Sequence, residues 1–172
     1  MRKLNLLSLL FLLLSLTAVA QDFRPAETPQ LEFVMQLRVT LGENYSIDLP
    51  SGERRIVIPI TGGTFQGPSI KGTILGGGAD YQQQSADGHR TELEAIYSIE
   101  ADDGTRIHVR NRGLIVNGND AEGHPFTYFK AAPQFEAPVG SPHAWLNDAL
   151  YVCQPDFSTH FRGIVLNVWM VR

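Results

Sequence analysis

The strongest constraint on the fold of this sequence is the two-residue period of its apolar side chains. The period is clearest in the segment Leu31–Thr40, where alternate positions are apolar: Leu31, Phe33, Met35, Leu37 and Val39. Successive side chains of a β-strand point to opposite faces, so this pattern predicts a strand with one buried face. The chain shows no long helical period, and the alternation therefore favours an all-β fold.

Further short strands are predicted along the rest of the chain. They are Arg55–Ile60, Ile70–Leu75, Tyr81–Gln84, Thr91–Glu100, Arg106–Arg112, Phe126–Ala131, Leu150–Gln154 and Gly163–Val171. Turns are predicted at Pro50-Ser51-Gly52, Thr61-Gly62-Gly63, Gly76-Gly77-Gly78, Asp87-Gly88, Asp102-Asp103-Gly104 and Asn117-Gly118. One helical turn is expected near Pro142–Ala149. Many short strands joined by glycine-rich turns are typical of a barrel or a sandwich.

One hairpin can be predicted residue by residue, with Asp102-Asp103-Gly104 as a three-residue loop. Its pairs on one face are Glu100–Arg106, Ser98–His108, Ile96–Arg110 and Glu94–Arg112, and on the other Ile99–Ile107, Tyr97–Val109 and Ala95–Asn111. The first face carries opposite charges across the strands, and the second is mainly apolar. We therefore expect Tyr97 and Asn111 to point inward, where each needs a polar partner, a water or a ligand.

The N-terminus has the pattern of a secretory signal peptide. Arg2 and Lys3 precede an apolar run, Leu6–Leu14, and Ala18-Val19-Ala20 is a cleavage signal before Gln21. The run is short for a membrane span, and an uncleaved anchor is the alternative. We predict a signal peptide at 1–20, a polar leader at 21–30 and a single barrel domain at 31–172. The mature protein is then expected to be secreted or periplasmic, without stable membrane insertion.

Charge and cysteine content limit the partners and the sources of stability. The chain has 14 Lys and Arg against 18 Asp and Glu, and this gives no basic surface for nucleic acid. A single cysteine, Cys153, excludes an internal disulfide and lies in an apolar strand typical of a buried thiol. Asn44-Tyr45-Ser46 is a formal glycosylation sequon, and the sequence does not determine the oligomeric state.

The combination of motifs resembles the UPF0311 or DUF3237 family. The matching residues are the run Arg55–Pro68, Gly72, Gly76–Gln82, Asp87-Gly88, Glu92–Ala95, Tyr97, Asp102–Gly104, Ile107, Val109, Asn111, Gly113, Tyr128–Lys130, Pro133, Phe135-Glu136 and Trp145–Asn147. The resemblance implies a closed antiparallel, up-and-down, lipocalin-like barrel of about 8–10 strands. Gly77, where the family often has proline, and a short stretch between Gly113 and Phe126 depart from the pattern.

Several familiar chemistries have no support in the sequence. It contains no Gly-x-Ser-x-Gly nucleophile motif, and its glycine clusters lack the Lys-Ser/Thr of a phosphate-binding loop. The five histidines form no close pair of metal ligands, so no metal and no cofactor are predicted.

Polar residues within the apolar strands and turns are the remaining candidates for a site. A carboxylate with a shifted pKa and a nearby hydrogen-bond donor would support acid–base catalysis. The catalytic candidates are Asp80, Tyr97 and Glu136, and the candidates for binding a ligand are Asn111, Tyr128, Trp145 and Asn147. Turn capping, surface ion pairs and packing are the alternative roles of these residues.

Two functions are compatible with this set. The first is an enzyme of isomerase, lyase or cyclase type that acts by proton transfer on a small, partly hydrophobic molecule inside the barrel. The second is a non-catalytic carrier of such a molecule, because small barrels commonly enclose one ligand and a fold alone does not determine function. The sequence does not identify the ligand or the reaction.

Overall fold

The computed structural model describes residues 27–172, which form an all-β fold, as predicted. The predicted signal peptide at 1–20 and the first part of the leader, 21–26, lie outside the described residues. The strands are β1 Leu31–Leu41, β2 Tyr45–Asp48, β3 Arg54–Gln66, β4 Lys71–Ile74, β5 Gly78–Gln84, β6 Arg90–Ala101, β7 Arg106–Asn119, β8 Pro125–Glu136, β9 Tyr151–Pro155 and β10 Ile164–Val171. Within residues 27–172, no helix is both long and apolar enough to cross a membrane.

The sheet closes into an antiparallel barrel because β1 pairs with both β10 and β3. The ten strands fill eight positions of the wall. One end of β3 pairs with β1 and the other end with β2. In the same way, β4 and β5 together fill the position between β3 and β6. The predicted closed barrel of about 8–10 strands is therefore confirmed.

The β6–β7 hairpin has the predicted register, including the pairs Tyr97–Val109 and Ala95–Asn111. Tyr97 and Asn111 are each 4% exposed and point into the barrel. Glu94 lies on the outer face, where Arg110 and Arg112 both donate to its carboxylate. These outer pairs are mostly solvent-exposed, so they favour the register more than they stabilise the fold.

One end of the barrel is filled by packed side chains. A short 3₁₀ helix, Ala144–Asp148, lies at the position of the predicted helical turn and buries Leu146 in the core. Just before it, Nε2 of His143 lies 3.3 Å from Oδ2 of Asp103 in the β6–β7 turn. The largest fully buried side chains of the core include Met35, Leu37, Ile99, Ile107, Leu146 and Val168. Any interior space for a ligand therefore lies toward the other end.

The wall has one weak line of pairing, between β8 and β9. Only Ala131 and Cys153 are paired across it, whereas the neighbouring β7–β8 ladder runs from His108–Glu136 to Asn119–Pro125. Lys130 also donates to the Gln154 side chain across the same line. We call this line the β8–β9 seam.

Two predicted turns are wrong, because both segments lie inside strands. Thr61-Gly62-Gly63 belongs to β3, where a Cβ on Gly63 would lie 2.0 Å from the carbonyl oxygen of Arg38. Glycine is needed there for the close approach of β1 to β3 rather than for a turn. Asn117-Gly118 belongs to β7 and pairs with β8, and the chain reverses after it.

The structure also contains a strand that the sequence analysis missed. β2 pairs only with β3 and is exposed along its whole length, including Tyr45 and Ile47. A strand with no buried face leaves no two-residue burial pattern to detect.

Candidate functional site

An interior cavity of about 90 Å³ lies toward the open end of the barrel. Most of its lining is apolar and includes Val39, Ile60, Leu93, Ala95, Phe129 and Leu166. Its polar lining residues are Asp80, Gln82, Tyr97 and Asn111. A cavity of this size is smaller than the pockets of about 300–1,000 Å³ that hold drug-sized ligands, so only part of such a molecule fits inside. A larger ligand would extend past Leu41, which is partly exposed at the cavity's edge.

Asp80 is positioned by β5, where it pairs with Ile58 of β3 and Ala95 of β6. Its Oδ2 accepts a hydrogen bond of 2.7 Å from Nε2 of Gln82, two residues along the same face of the strand. Its Oδ1 is buried without a hydrogen-bond partner. Burial raises the pKa of Asp80, and hydrogen bonds from the Gln82 side chain and the Glu94 backbone oppose that rise only in part. The carboxyl group is thus a weaker acid than an ordinary aspartate.

Tyr97 lies on β6, beside the start of β5, and lines the same cavity. Burial raises the pKa of its hydroxyl well above the usual range, and the nearby Cys153 and Asp80 raise it further because a second negative charge there would be repelled. Tyr97 therefore stays protonated and can donate a hydrogen bond to a ligand.

Asn111 lies on β7, across Ala95 from Asp80, and its amide contacts the thiol of Cys153. Its Nδ2 lies 3.5 Å from Sγ, and Sγ lies 3.8 Å from its Oδ1. Burial raises the pKa of Cys153 to about 11, although the contact with Asn111 acts in the opposite direction. The thiol is therefore neutral at physiological pH and unsuited to act as a nucleophile.

Three of the seven predicted site residues, Asp80, Tyr97 and Asn111, thus line one cavity. The structure places Glu136 and Tyr128 elsewhere, because the even-numbered residues of β8 point outward. Tyr128 is 47% exposed, and Glu136 is exposed at the end of β8, where it pairs with His108. Neither side chain is brought together with Asp80.

Trp145 and Asn147 belong to the filled end of the barrel. Trp145 is partly buried and packs against the core. The side chain of Asn147 makes two hydrogen bonds with the backbone of Ala137, accepting from its N–H at 2.8 Å and donating to its carbonyl oxygen at 3.0 Å. These contacts hold the segment after β8 in place, which is a structural role.

Gln82 is the polar residue of the site that the sequence analysis missed. Its signal is its spacing, because a residue two positions from Asp80 in a strand shares its face. The contact between Cys153 and Asn111 had no such signal, since the two residues come from strands that are distant in sequence.

The described residues bring three potential metal ligands together in the β7–β8 loop: Asp120, Glu122 and His124. All three are exposed. Oδ1 of Asp120 accepts hydrogen bonds from the backbone N–H groups of Glu122 and His124, which is the ordinary geometry of an Asp-stabilised turn. The turn accounts for the cluster without a metal ion.

Comparison with known proteins shows that residues 29–171 match the DUF3237 family model, which describes proteins of unknown function. The UPF0311 protein RPA1785 of Rhodopseudomonas palustris is 34% identical over 157 residues, covering 84% of this chain and 99% of that protein. A solved β-barrel-like protein from Acinetobacter baumannii superposes with a TM-score of 0.72 at 28% identity, covering 88% of this chain and all of that one.

One relative is an enzyme of named activity. The hydroalkoxylation enzyme phnH of Penicillium herquei is 33% identical over 87 residues, covering 51% of this chain and 57% of that enzyme. The solved structure of an enzyme from Penicillium herquei superposes with a TM-score of 0.65 at 25% identity, covering 87% of this chain and 98% of that one.

Proposed function

The chain belongs to the DUF3237 family, and we propose that its barrel binds a small, partly hydrophobic organic molecule and transforms it by proton transfer. The observation that carries this proposal is the state of Asp80. One of its carboxylate oxygens is buried without a partner at the wall of an apolar cavity, beside a protonated tyrosine.

Asp80 has the properties of a general acid and base. An unpaired carboxylate oxygen in apolar surroundings is costly, so the site favours either a protonated Asp80 or a ligand that donates a hydrogen bond to it. A carboxyl group whose pKa is raised by burial is a better proton acceptor and donor than an ordinary aspartate. Tyr97 supplies a neutral donor for negative charge that develops on the ligand.

The fungal relative supports chemistry of this class. Hydroalkoxylation adds the O–H of a hydroxyl group across a carbon–carbon double bond, so a proton moves from oxygen to carbon without net oxidation. Such a reaction needs a positioned acid and base in an apolar pocket. The cavity provides Asp80 as the acid–base group, Tyr97 as a hydrogen-bond donor and a mainly apolar lining. The isomerase or cyclase type of activity is therefore favoured over a reaction that needs a redox cofactor.

The experiment starts with native mass spectrometry of the protein from its own source, to find a ligand that co-purifies. That ligand is then incubated with the protein in D₂O, and the product is examined for a deuterium bound to carbon. We expect wild-type protein to introduce deuterium and Asp80→Asn to do so about 10²–10⁴-fold more slowly.

The matched control is Asp102→Asn, which changes an exposed aspartate paired with Lys71 on the surface. It should leave the rate unchanged. An Asp80→Asn rate equal to that of the wild type would contradict the proposal. Retained binding without any chemical change of the ligand would instead identify a carrier.

We also propose that the chain is exported to a periplasm or to the outside of the cell. The support is the order of a basic start, an apolar run and Ala18-Val19-Ala20 in the sequence. N-terminal sequencing of the protein from an extracellular or periplasmic fraction should begin at Gln21. Recovery only of an uncleaved, membrane-bound chain would refute this.

A further inference from the structure

The polar groups of the cavity lie on three neighbouring strands. Asp80 and Gln82 lie on β5, whereas Tyr97 and Asn111 lie on β6 and β7. Asp80 and Asn111 both pair with Ala95, from its opposite sides. Two strand spacings separate their backbones, or about 10 Å along the wall. The small side chain of Ala95 leaves the space between them open to a ligand.

Asp80 can accept a proton and hydrogen bonds, whereas Tyr97 and Asn111 can donate hydrogen bonds. Tyr97 stays protonated because it is buried. The amide of Asn111 has two N–H groups, and its contact in the barrel is the Cys153 sulfur at 3.5 Å, which is a weak acceptor. Asn111 therefore keeps donor capacity for a ligand oxygen. A ligand that satisfies both kinds of group has a hydroxyl group near Asp80 and an acceptor oxygen near Tyr97 and Asn111.

Addition of a hydroxyl group to a double bond also calls for an acceptor oxygen on the ligand, because negative charge develops during the reaction. When oxygen adds to an isolated double bond, a weak acid and base leave charge on carbon, where no protein donor stabilises it. When the double bond is conjugated to a carbonyl group, the charge moves to the carbonyl oxygen. Hydrogen-bond donors aimed at that oxygen then lower the barrier.

We propose, on the basis of the function proposed above, that the substrate class is a molecule with a hydroxyl group and an α,β-unsaturated carbonyl group, and that Asn111 and Tyr97 bind the carbonyl oxygen. Asp80 takes the hydroxyl proton while the new C–O bond forms at the β-carbon. The electrons of the C=C bond move to the carbonyl oxygen, giving an enolate. The proton on Asp80 is then delivered to the α-carbon, so the product is an isomer of the substrate.

The first test measures how tightly Tyr97 and Asn111 bind an anionic oxygen when the Asp80 carboxylate is absent. The phenolate of 4-nitrophenol resembles an enolate in charge and in its single oxygen, and its visible absorbance changes when it is bound. We expect Asp80→Asn protein to bind it, and the added change Asn111→Leu or Tyr97→Phe to weaken binding roughly tenfold or more. Tyr81→Phe in the same background is the control, because Tyr81 is exposed on the outer face of β5.

Two outcomes of the phenolate titration would overturn the proposal. Equal phenolate affinities with and without the Asn111 amide would overturn it, as would no binding to Asp80→Asn protein. Urea unfolding of each variant confirms that it is folded, and the two donor variants are independent of each other.

The second test compares two phenols of similar size as substrates. In 2-hydroxyphenyl vinyl ketone the double bond is conjugated to a carbonyl group, and its cyclisation gives chroman-4-one. In 2-allylphenol the double bond is isolated. We expect the wild type to accelerate only the first reaction above its rate in buffer, and Asn111→Leu to slow it about 10²–10³-fold, the usual effect of losing an oxyanion donor.

The two proposals fail in different ways. Turnover of 2-allylphenol alone, dependent on Asp80, would overturn the substrate class and leave the acid–base function intact. Cyclisation of the vinyl ketone by Asp80→Asn at the wild-type rate would contradict the function, whereas the phenolate titration would still report on the donors. If neither phenol is turned over, the titration alone decides the inference.

Discussion

A Cβ atom on Gly78 would lie 2.6 Å from the Cβ of Tyr97. It would also lie 2.5 Å from the carbonyl oxygen of Ile96. Both contacts are well below the separation of ordinary non-bonded carbon and oxygen atoms. The last glycine of Gly76-Gly77-Gly78 therefore makes room for the Tyr97 side chain at the cavity, and this explains its place next to β6 better than a turn does.

Gly78→Ala should therefore destabilise the protein. Overpacking of a barrel wall costs about 1–3 kcal/mol, and backbone atoms of β6 cannot move aside cheaply. The midpoint of urea unfolding measures this change. Gly118→Ala is the matched control, since its Cβ would meet only the rings of Phe126 and His89, two exposed side chains. Equal losses in the two variants would show that the space beside Tyr97 is not restricted.

The difference in stability between wild type and Asp80→Asn should depend on pH. Burial raises the pKa of Asp80 in the folded state above its ordinary value of 3.8. The folded protein therefore binds this proton more tightly than the unfolded chain does. Stability from Asp80 is present below the unfolded pKa and is lost as pH rises through the folded pKa. Asp80→Asn should remove that loss and gain stability relative to wild type toward neutral pH.

Urea unfolding at a series of pH values measures this difference. Subtraction of the two curves is essential, because the lowered pKa values of Asp87, Asp103 and Asp156 give the opposite slope in both proteins. A constant difference between the curves from acidic to neutral pH would refute the raised pKa of Asp80.

Leu146→Ala should be among the most destabilising single changes in the chain. Leu146 is 1% exposed and fills the closed end of the barrel from the 3₁₀ helix. Loss of a fully buried leucine side chain costs about 2–5 kcal/mol. Leu150→Ala makes the same chemical change at a position that is 76% exposed and should have little effect. Similar unfolding midpoints for the two variants would mean that the 3₁₀ helix does not close the barrel tightly.

Cys153 should be inert in the folded protein. It is 1% exposed, and burial raises its pKa to about 11, so neither access nor thiolate is available at neutral pH. Mass spectrometry after treatment with iodoacetamide should show no modification of the native protein. The same treatment in concentrated guanidinium chloride should modify the chain once. Rapid modification of the native protein would show that the seam beside Cys153 opens readily.

Local patterns predicted the parts of the fold that depend on neighbours in sequence. The Asp102-Asp103-Gly104 loop determined the register of β6 and β7, and the register placed Tyr97 and Asn111 inside. Both conclusions follow from a tight turn and an alternating strand. They need no information about the rest of the chain.

The parts that depend on distant segments were not predictable in this way. The alternation of β8 places Glu136 outside, but the predicted strand ended at Ala131 and gave Glu136 no face. The close approach of β1 at Gly63 and the contact between Asn111 and Cys153 depend on how the sheet closes. Polar residue type alone could not separate the cavity residues from Asn147, which binds the backbone of Ala137.

The β8–β9 seam shows how the barrel is assembled. If the single pair between Ala131 and Cys153 is set aside, the wall is a continuous ribbon of hydrogen-bonded strands whose two free edges are β8 and β9. The segment 137–150 joins these same two edges and contains the 3₁₀ helix that covers the filled end. One connection of the chain thus both links the two edges of the ribbon and closes one end of the barrel. The position of the 3₁₀ helix therefore sets the depth of the interior space that is left for a ligand.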